Sequence, residues 1–221
     1  MTGSLIVNNL LVNNLSGLLI ITSLLVIAAR RPALSACLYA LQSLVLVLIF
    51  ISLADLLQAH ELYLWSVSAF ITKVILVPTI MYWAFRKLDD PLADGGVVSP
   101  VVIVLLATLI VVLSYFVVEP VKLPIVSTLK PALAVSLSHF MIGLLCIVTQ
   151  RNILKQVFGY CLMENGAHLT LALLANQAPE LVEIGIATDA IFAVIVMALM
   201  ARKIYRTLHT LDVQQLTALK G

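Results

Sequence analysis

Residues 97–118 read VVSPVVIVLLATLIVVLSYFVV, without one Asp, Glu, Lys or Arg. About 20 apolar residues in a helix cross the hydrocarbon of a bilayer, and lipid offers the backbone no partner except the helix itself. The stretch therefore reads as a membrane-spanning helix, and the chain on either side repeats the pattern. Apolar runs bounded by charge or proline fall near 5–29, 33–54, 62–85, 131–150, 153–175 and 181–201. In the first of these, Asn8, Asn9, Asn13 and Asn14 make the outer third polar, so the crossing part begins near Leu10. With 62% hydrophobic and 11% charged residues in 221, the composition is far from the ~25% charged share of soluble domains. The alternation of a transmembrane barrel strand is absent. The expected fold class is an all-α polytopic bundle of seven transmembrane helices with no soluble domain beside them.

Lys and Arg at the helix ends set the orientation. Arg30, Arg31, Arg86, Lys87, Arg151, Lys155, Arg202, Lys203, Arg206 and Lys220 gather on one side, ten of the thirteen cations. Lys122 and Lys130 share the other side with Asp55, Glu61, Glu119, Glu180 and Glu183. The cation-rich side is expected to be cytoplasmic, with the amino terminus outside and the carboxyl terminus inside. Because the first cation, Arg30, follows the first apolar run, that run is expected to stay as an anchor and not to be cleaved as a signal peptide. Asp89-Asp90 and Asp94-Gly95-Gly96 read as a solvated turn between two halves.

The halves carry a weak repeat. Lys73 stands thirteen residues ahead of Arg86-Lys87, and Asp189 thirteen ahead of Arg202-Lys203, each following a threonine. Residues 1–96 are thus expected to form one three-helix half and 131–221 another, joined by a fourth helix within 97–130 that keeps the copies parallel.

Three charges fall inside spans: Lys73, Glu164 and Asp189. An ionised side chain at mid-bilayer costs about 2.5–3.5 kcal/mol on insertion scales, so it persists where it faces a polar interior. Lys73 is too deep to snorkel, which favours a carboxylate partner or a wet cavity, and Pro78 removes the amide that would bond Val74 and loosens the helix beside it. Glu164 and His168 are four apart and share a helix face. Burial raises a carboxyl pKa and lowers that of an imidazole, so such a pair suits proton relay. His139, in the outer part of the fifth span, is a further candidate. The bland alternative is packing: carboxyls hydrogen-bonded as glue and histidines satisfied in a core. Gly143, Gly159, Gly166 and Gly185 fit close helix approach.

Other chemistry has little support. Cys37, Cys146 and Cys161 stand alone, with no C-x-x-C pair for zinc, a cluster or a redox dithiol, so no metal or cofactor is expected on this chain. A net charge of +2 gives no reason to expect nucleic acid.

Arg151-Asn152-Ile153-Leu154, then Gly159 and Asn165, then Asp189 ahead of the basic pair, make residues 136–221 resemble the small three-helix membrane subunit of respiratory complex I. The resemblance extends to its counterparts in cation/proton antiporters and membrane-bound hydrogenases. With seven spans, the whole chain looks most like the E components of hydrogenase-4, membrane subunits of formate-hydrogenlyase-type complexes. That resemblance implies a non-catalytic subunit of the bacterial inner membrane. Its partners would be antiporter-like membrane subunits, with hydrogenase large and iron-sulfur subunits on the cytoplasmic side. The family's two intramembrane glutamates are proposed to pass protons between subunits. One falls on Asp189. The other falls on Cys161, with Glu164 about 4.5 Å further along the helix. The implied proton path comprises Glu164, Asp189, Lys73, His168 and His139. The rivals are an assembly scaffold without proton transfer and an autonomous transporter of a small solute or cation. Against the transporter, Pro78 has no counterpart in the seventh span.

Overall fold

The computed structural model describes residues 2–29, 31–86, 88, 96–122 and 128–216, and the side chains of 2–8 and 180 lie outside that description. Arg30, Lys87, Lys220, Asp89-Asp90 and Asp94-Gly95 of the expected topology therefore lie outside the described residues. The chain runs through α1 (Thr2–Ala28), α2 (Pro32–Leu57), α3 (Glu61–Ala69), a π-helical segment (Phe70–Leu76) and α4 (Val77–Phe85). It continues through α5 (Pro100–Val118), α6 (Lys130–Thr149), α7 (Ile153–Leu174), α8 (Glu180–Leu208) and the short α9 (Val213–Leu216). Among the described residues no named strand occurs, only two isolated antiparallel bridges, Gly96 to Gln150 and Asn152 to Asp212. Proline in the first turn opens α2, α5 and α6, where its missing amide costs nothing. The third expected span is continuous but not uniform, because α3, the π segment and α4 follow one another without a break.

Six of these stretches are long and apolar enough to cross a membrane: 9–28, 32–57, 61–85, 100–118, 130–149 and 181–208. The sixth expected span, α7, is not one of them. It carries Lys155, Gln156, Glu164, Asn165 and His168, and these are the side chains it turns toward its neighbours. Helix α8 runs seven residues past the expected end at 201. Its last two turns hold Arg202, Lys203 and Arg206, good helix formers whose charge suits a helix C-terminus.

Packing is closest between α6 and α7. A Cβ on Gly166 would lie 2.5 Å from the Phe140 amide nitrogen, one on Gly143 2.7 Å from the Gly159 carbonyl, and one on Gly159 2.9 Å from the Gly143 carbonyl. Only hydrogen atoms fit there, so the two backbones touch. In lipid this close approach replaces the hydrophobic drive that water would supply. Gly185 departs from that expectation: it has nothing within 4 Å and faces outward. Helix α1 packs on α2 and α6, α2 also on α7, and α8 on α3, α4 and α7, while α5 leans mainly on α6. Hydroxyls on these helices bond back to their own carbonyls, as Ser52 does to Leu48 at 2.8 Å and Thr149 to Leu145 at 2.7 Å, so they stay satisfied away from water.

The apolar interior is split in two. One core collects Val26, Tyr39, Val77, Ile142, Phe158 and Leu162. The other collects Leu19, Leu46, Trp65, Ala69, Leu133 and Leu169. Between them five elements present polar residues: Ser23 on α1, Gln42 and Ser43 on α2, Lys73 on the π segment, His139 on α6 and Asn165 on α7, all fully buried.

The end where α1 and α8 finish is tied by charge. Lys155 donates to the carbonyls of Val26 and Ile27, at 3.4 and 3.2 Å, and of Ala29, closing the last turn of α1. Asn152 caps α7 by accepting from the Leu154 amide at 2.9 Å. Arg151 holds Asp212 through two bonds of 3.2 and 2.5 Å, so the chain after α8 folds back over the α6–α7 turn. There the Arg151 guanidinium, first among its causes, holds the Asp212 carboxyl below the usual range. The Arg151-Asn152 pair thus anchors this end of the bundle.

Candidate functional site

The buried polar layer starts at the π segment. Pro78 has no amide to meet the Val74 carbonyl, and the preceding turns are widened, with the Val77 amide reaching back five residues to the Thr72 carbonyl. Such π turns cluster at functional positions. Here the widened turn carries Lys73, whose side chain is fully buried. Its ammonium pairs with Oε1 of Glu164 on α7 and donates to Oδ1 of Asn165 at 2.9 Å. Glu164 keeps 15% of its side chain exposed. A buried ion pair is tolerable where further hydrogen bonds complete it, and Asn165 supplies one.

From Asn165 the contacts run in a single direction. Its Nδ2 donates to Oε1 of Gln42 at 2.8 Å. That leaves Nε2 of Gln42 facing Nε2 of His139 at 3.0 Å, and Nδ1 of His139 lies 2.8 Å from the Ser23 hydroxyl. Ser23 donates to the Leu19 carbonyl at 2.6 Å. The arrangement that satisfies every partner has a neutral His139, accepting at Nε2 and donating at Nδ1. Five helical elements therefore share one polar chain, from Glu164 through Lys73, Asn165, Gln42 and His139 to Ser23.

The structure distributes the expected site residues unevenly. Lys73, Glu164 and His139 lie on this chain, with His139 at the middle of α6 and not toward its outer end. His168 does not join Glu164. It is fully buried between the rings of Phe50 and Trp65, with centroids 4.7 and 5.5 Å away, and its Nε2 is 2.6 Å from Oε2 of Glu183. That contact has ion-pair distance without hydrogen-bond alignment, since neither ring nitrogen of His168 and neither oxygen of Glu183 has a hydrogen-bond partner. Asp189 departs furthest from the expectation of a polar interior: it is exposed on α8, beside the outward-facing Gly185 and Phe192.

Gln42, Ser23 and Glu183 were missed by sequence reasoning. Gln42 had a signal, an amide in an otherwise apolar run. Ser23 had none, because a serine in a membrane helix is ordinary. Glu183 was counted as an acid near the outer surface. The helix begins before it, and its side chain is only 3% exposed.

The chain is 63% identical, over 221 residues covering all of both chains, to proteins described as hydrogenase-4 component E in Escherichia coli and Shigella flexneri. The family model for NADH-ubiquinone/plastoquinone oxidoreductase chain 4L matches residues 131–221. Over 80 residues, 36% of each chain, it is 30% identical to an uncharacterized protein of Mycobacterium tuberculosis. No solved structure matches it.

Proposed function

The chain belongs to the hydrogenase-4 component E family, and on that premise we propose that it is an integral, non-catalytic subunit of a hydrogenase complex that anchors the assembly and carries part of a proton path. The supporting observation is the Lys73–Glu164 pair, bonded through Asn165 and Gln42 to His139. Protonation of Glu164 removes the negative half of the pair and leaves the Lys73 charge facing Asn165. In a low-dielectric interior that change acts strongly on the neighbouring dipoles. The amide and imidazole chain gives the shift a route across the bundle to α1.

In this reading α7 completes seven spans, since α2, α6 and α8 surround it. The cation-rich end where α8 finishes lies on the cytoplasmic side of a bacterial inner membrane, where hydrogenase large and iron-sulfur subunits would sit. Asp189, on the outer face, passes protons to an antiporter-like neighbour. A carboxylate in a membrane helix belongs in a polar contact, and a partner subunit supplies it.

The test uses a tagged complex in native membranes. Glu164→Gln is expected to lower proton translocation in inverted vesicles, with assembly and hydrogenase turnover on an artificial donor kept. Unchanged coupling would falsify the path. Loss of assembly alone would favour a scaffold, and recovery of the chain without hydrogenase subunits an autonomous transporter.

A further inference from the structure

Trp65, His168 and Glu183 form a second polar cluster that the Lys73 chain does not use. The Trp65 indole nitrogen, Nδ1 of His168 and Oε1 of Glu183 are buried without a hydrogen-bond partner, and Nε2 of His168 and Oε2 of Glu183 meet only each other, at 2.6 Å. Such atoms are rare in proteins and call for a physical reason. Beside them is a groove of about 360 Å³ between α3 and α8, whose lining includes Trp65, Ser68, Thr72 and Glu183. That volume is roomy for water, whose share of the liquid is about 30 Å³. Leu64, Val67, Ile71 and Ile184 make most of its wall apolar, and its polar groups follow one line, from Trp65 past Ser68 to Thr72, the residue before Lys73.

Depth favours water as the occupant. Glu183 is three residues into α8 and Trp65 four past the start of α3, about 4.5–6 Å from those helix ends. This is the depth at which tryptophan sits in membrane interfaces. On α7, His168 is one turn nearer the surface than Glu164. The charged groups that bear on His168 are Lys73 from the π segment, Glu183 from α8 and Glu164 from its own helix, while α2 and α3 present only Phe50 and Trp65.

We infer that Glu183 and His168 form a protonatable station opening on the α3–α8 groove, and that it exchanges protons with Glu164 one turn deeper. A proton leaving Glu183 for the His168 ring produces a carboxylate and an imidazolium. Its passage through water to Glu164 returns the ring to neutral, and a proton from the groove restores Glu183. The net change is one proton moved from the groove to Glu164, with no water consumed. This rests on the proton-path reading and adds the mouth of the path at the end where α3 and α8 begin.

The test keeps the complex in native membranes and reads both carbodiimide labelling and translocation. Dicyclohexylcarbodiimide attacks protonated carboxyls in apolar surroundings, so Glu183 should be modified, and Ser68→Leu, which fills the groove, should suppress that modification. Glu183→Gln should lose translocation while hydrogenase turnover on an artificial donor persists, and Glu183→Asp should regain part of it. If Glu183→Gln fails to assemble, Ser68→Leu still decides, through loss of labelling and of translocation together. Normal translocation in Glu183→Gln beside a Glu164→Gln variant that has lost it would overturn the station and leave the path. Normal translocation in both would overturn both, and an unlabelled Glu183 beside a labelled Glu164 would overturn the groove as its access.

Discussion

Lys73 and Asp189 hold matching places in the sequence, each thirteen residues ahead of a basic pair, yet one is sealed at the centre of the bundle and the other is exposed. The helices that carry them differ in winding. Lys73 rides on a π segment just ahead of Pro78, and the wider turn takes up residues that an even helix would spend on rotation. Helix α8 runs evenly for 29 residues, so its register is set by which stripe packs on α3, α4 and α7. Ala187, Ala190, Val194 and Ala198 fill that stripe, which leaves Asp189 on the opposite side. Equal spacing marks equal depth, but the face depends on winding and neighbours.

The largest effect should come from breaking the inner member of this pair. Lys73→Met leaves Glu164 without its counter-charge and Asn165 without its donor, a loss of roughly 3–5 kcal/mol when one partner of a buried pair is removed. The variant should accumulate poorly in membranes and unfold earlier in detergent. Adding Glu164→Gln should restore most of that stability without restoring proton translocation. A double variant as unstable as the single would show that Lys73 matters for packing and not for charge.

Next come the glycines, which repeat the same inside-to-outside contrast. Gly166→Ala places a methyl 2.5 Å from the Phe140 amide nitrogen and has to part α6 from α7 beside Asn165, at about 1–3 kcal/mol for overpacking. Gly185→Ala meets open space and should stay within about 0.5 kcal/mol. Thermal unfolding of the two purified variants checks the contrast, and equal shifts would place Gly185 in a contact.

Depth was legible from the sequence and facing was not. Apolar length located the helices to within a few residues at most ends, because the bilayer dictates that length. Lys73 and Glu164 stood out because charge in oil is costly, though nothing in their spacing showed that they pair across 91 positions. Gln42 was visible as an amide in an apolar run, but its role depends on Asn165 from a distant helix. Asp189 turns outward where a carboxylate inside a span is expected to face inward, because the small residues of α8 take the packed stripe. Glu183 lies near a helix end, where an acid reads as solvated, but it falls on the packed stripe of α8 and its side chain turns inward against His168.

A smaller effect concerns what holds α8 in its register. The segment after α8 is fastened by Asp212 to Arg151, while Arg202 lies 5.2 Å from the centre of the Trp83 ring. Asp212 has a folded-state pKa below its unfolded value, near 3.9 for a free aspartate. Its stabilisation is therefore complete above that unfolded value and is lost as the pH falls through the lower folded one. Hydrogen exchange of residues 209–216 should be equally protected at pH 7 and pH 5 and loosen only below about pH 4. In Asp212→Asn the protection should be weak throughout. Protection that declines already between pH 7 and 5 would point to a histidine instead, with His209 the nearest in sequence.

Asp189→Asn should have the smallest effect on the chain by itself, within about 0.5 kcal/mol, as for surface changes elsewhere. In the purified subunit its carboxylate has no role in packing, and its neighbour Thr188 bonds to the Ile184 carbonyl at 2.7 Å whatever residue 189 is. The contrast with Lys73 is sharpest here, because the variant that barely moves stability should still abolish proton translocation in the assembled complex. If Asp189→Asn destabilises the isolated subunit by as much as Gly166→Ala, the outer face of α8 is not where this residue sits. If it leaves translocation intact, the proton leaves the bundle elsewhere, and the exposed carboxylate serves only to bind its neighbour.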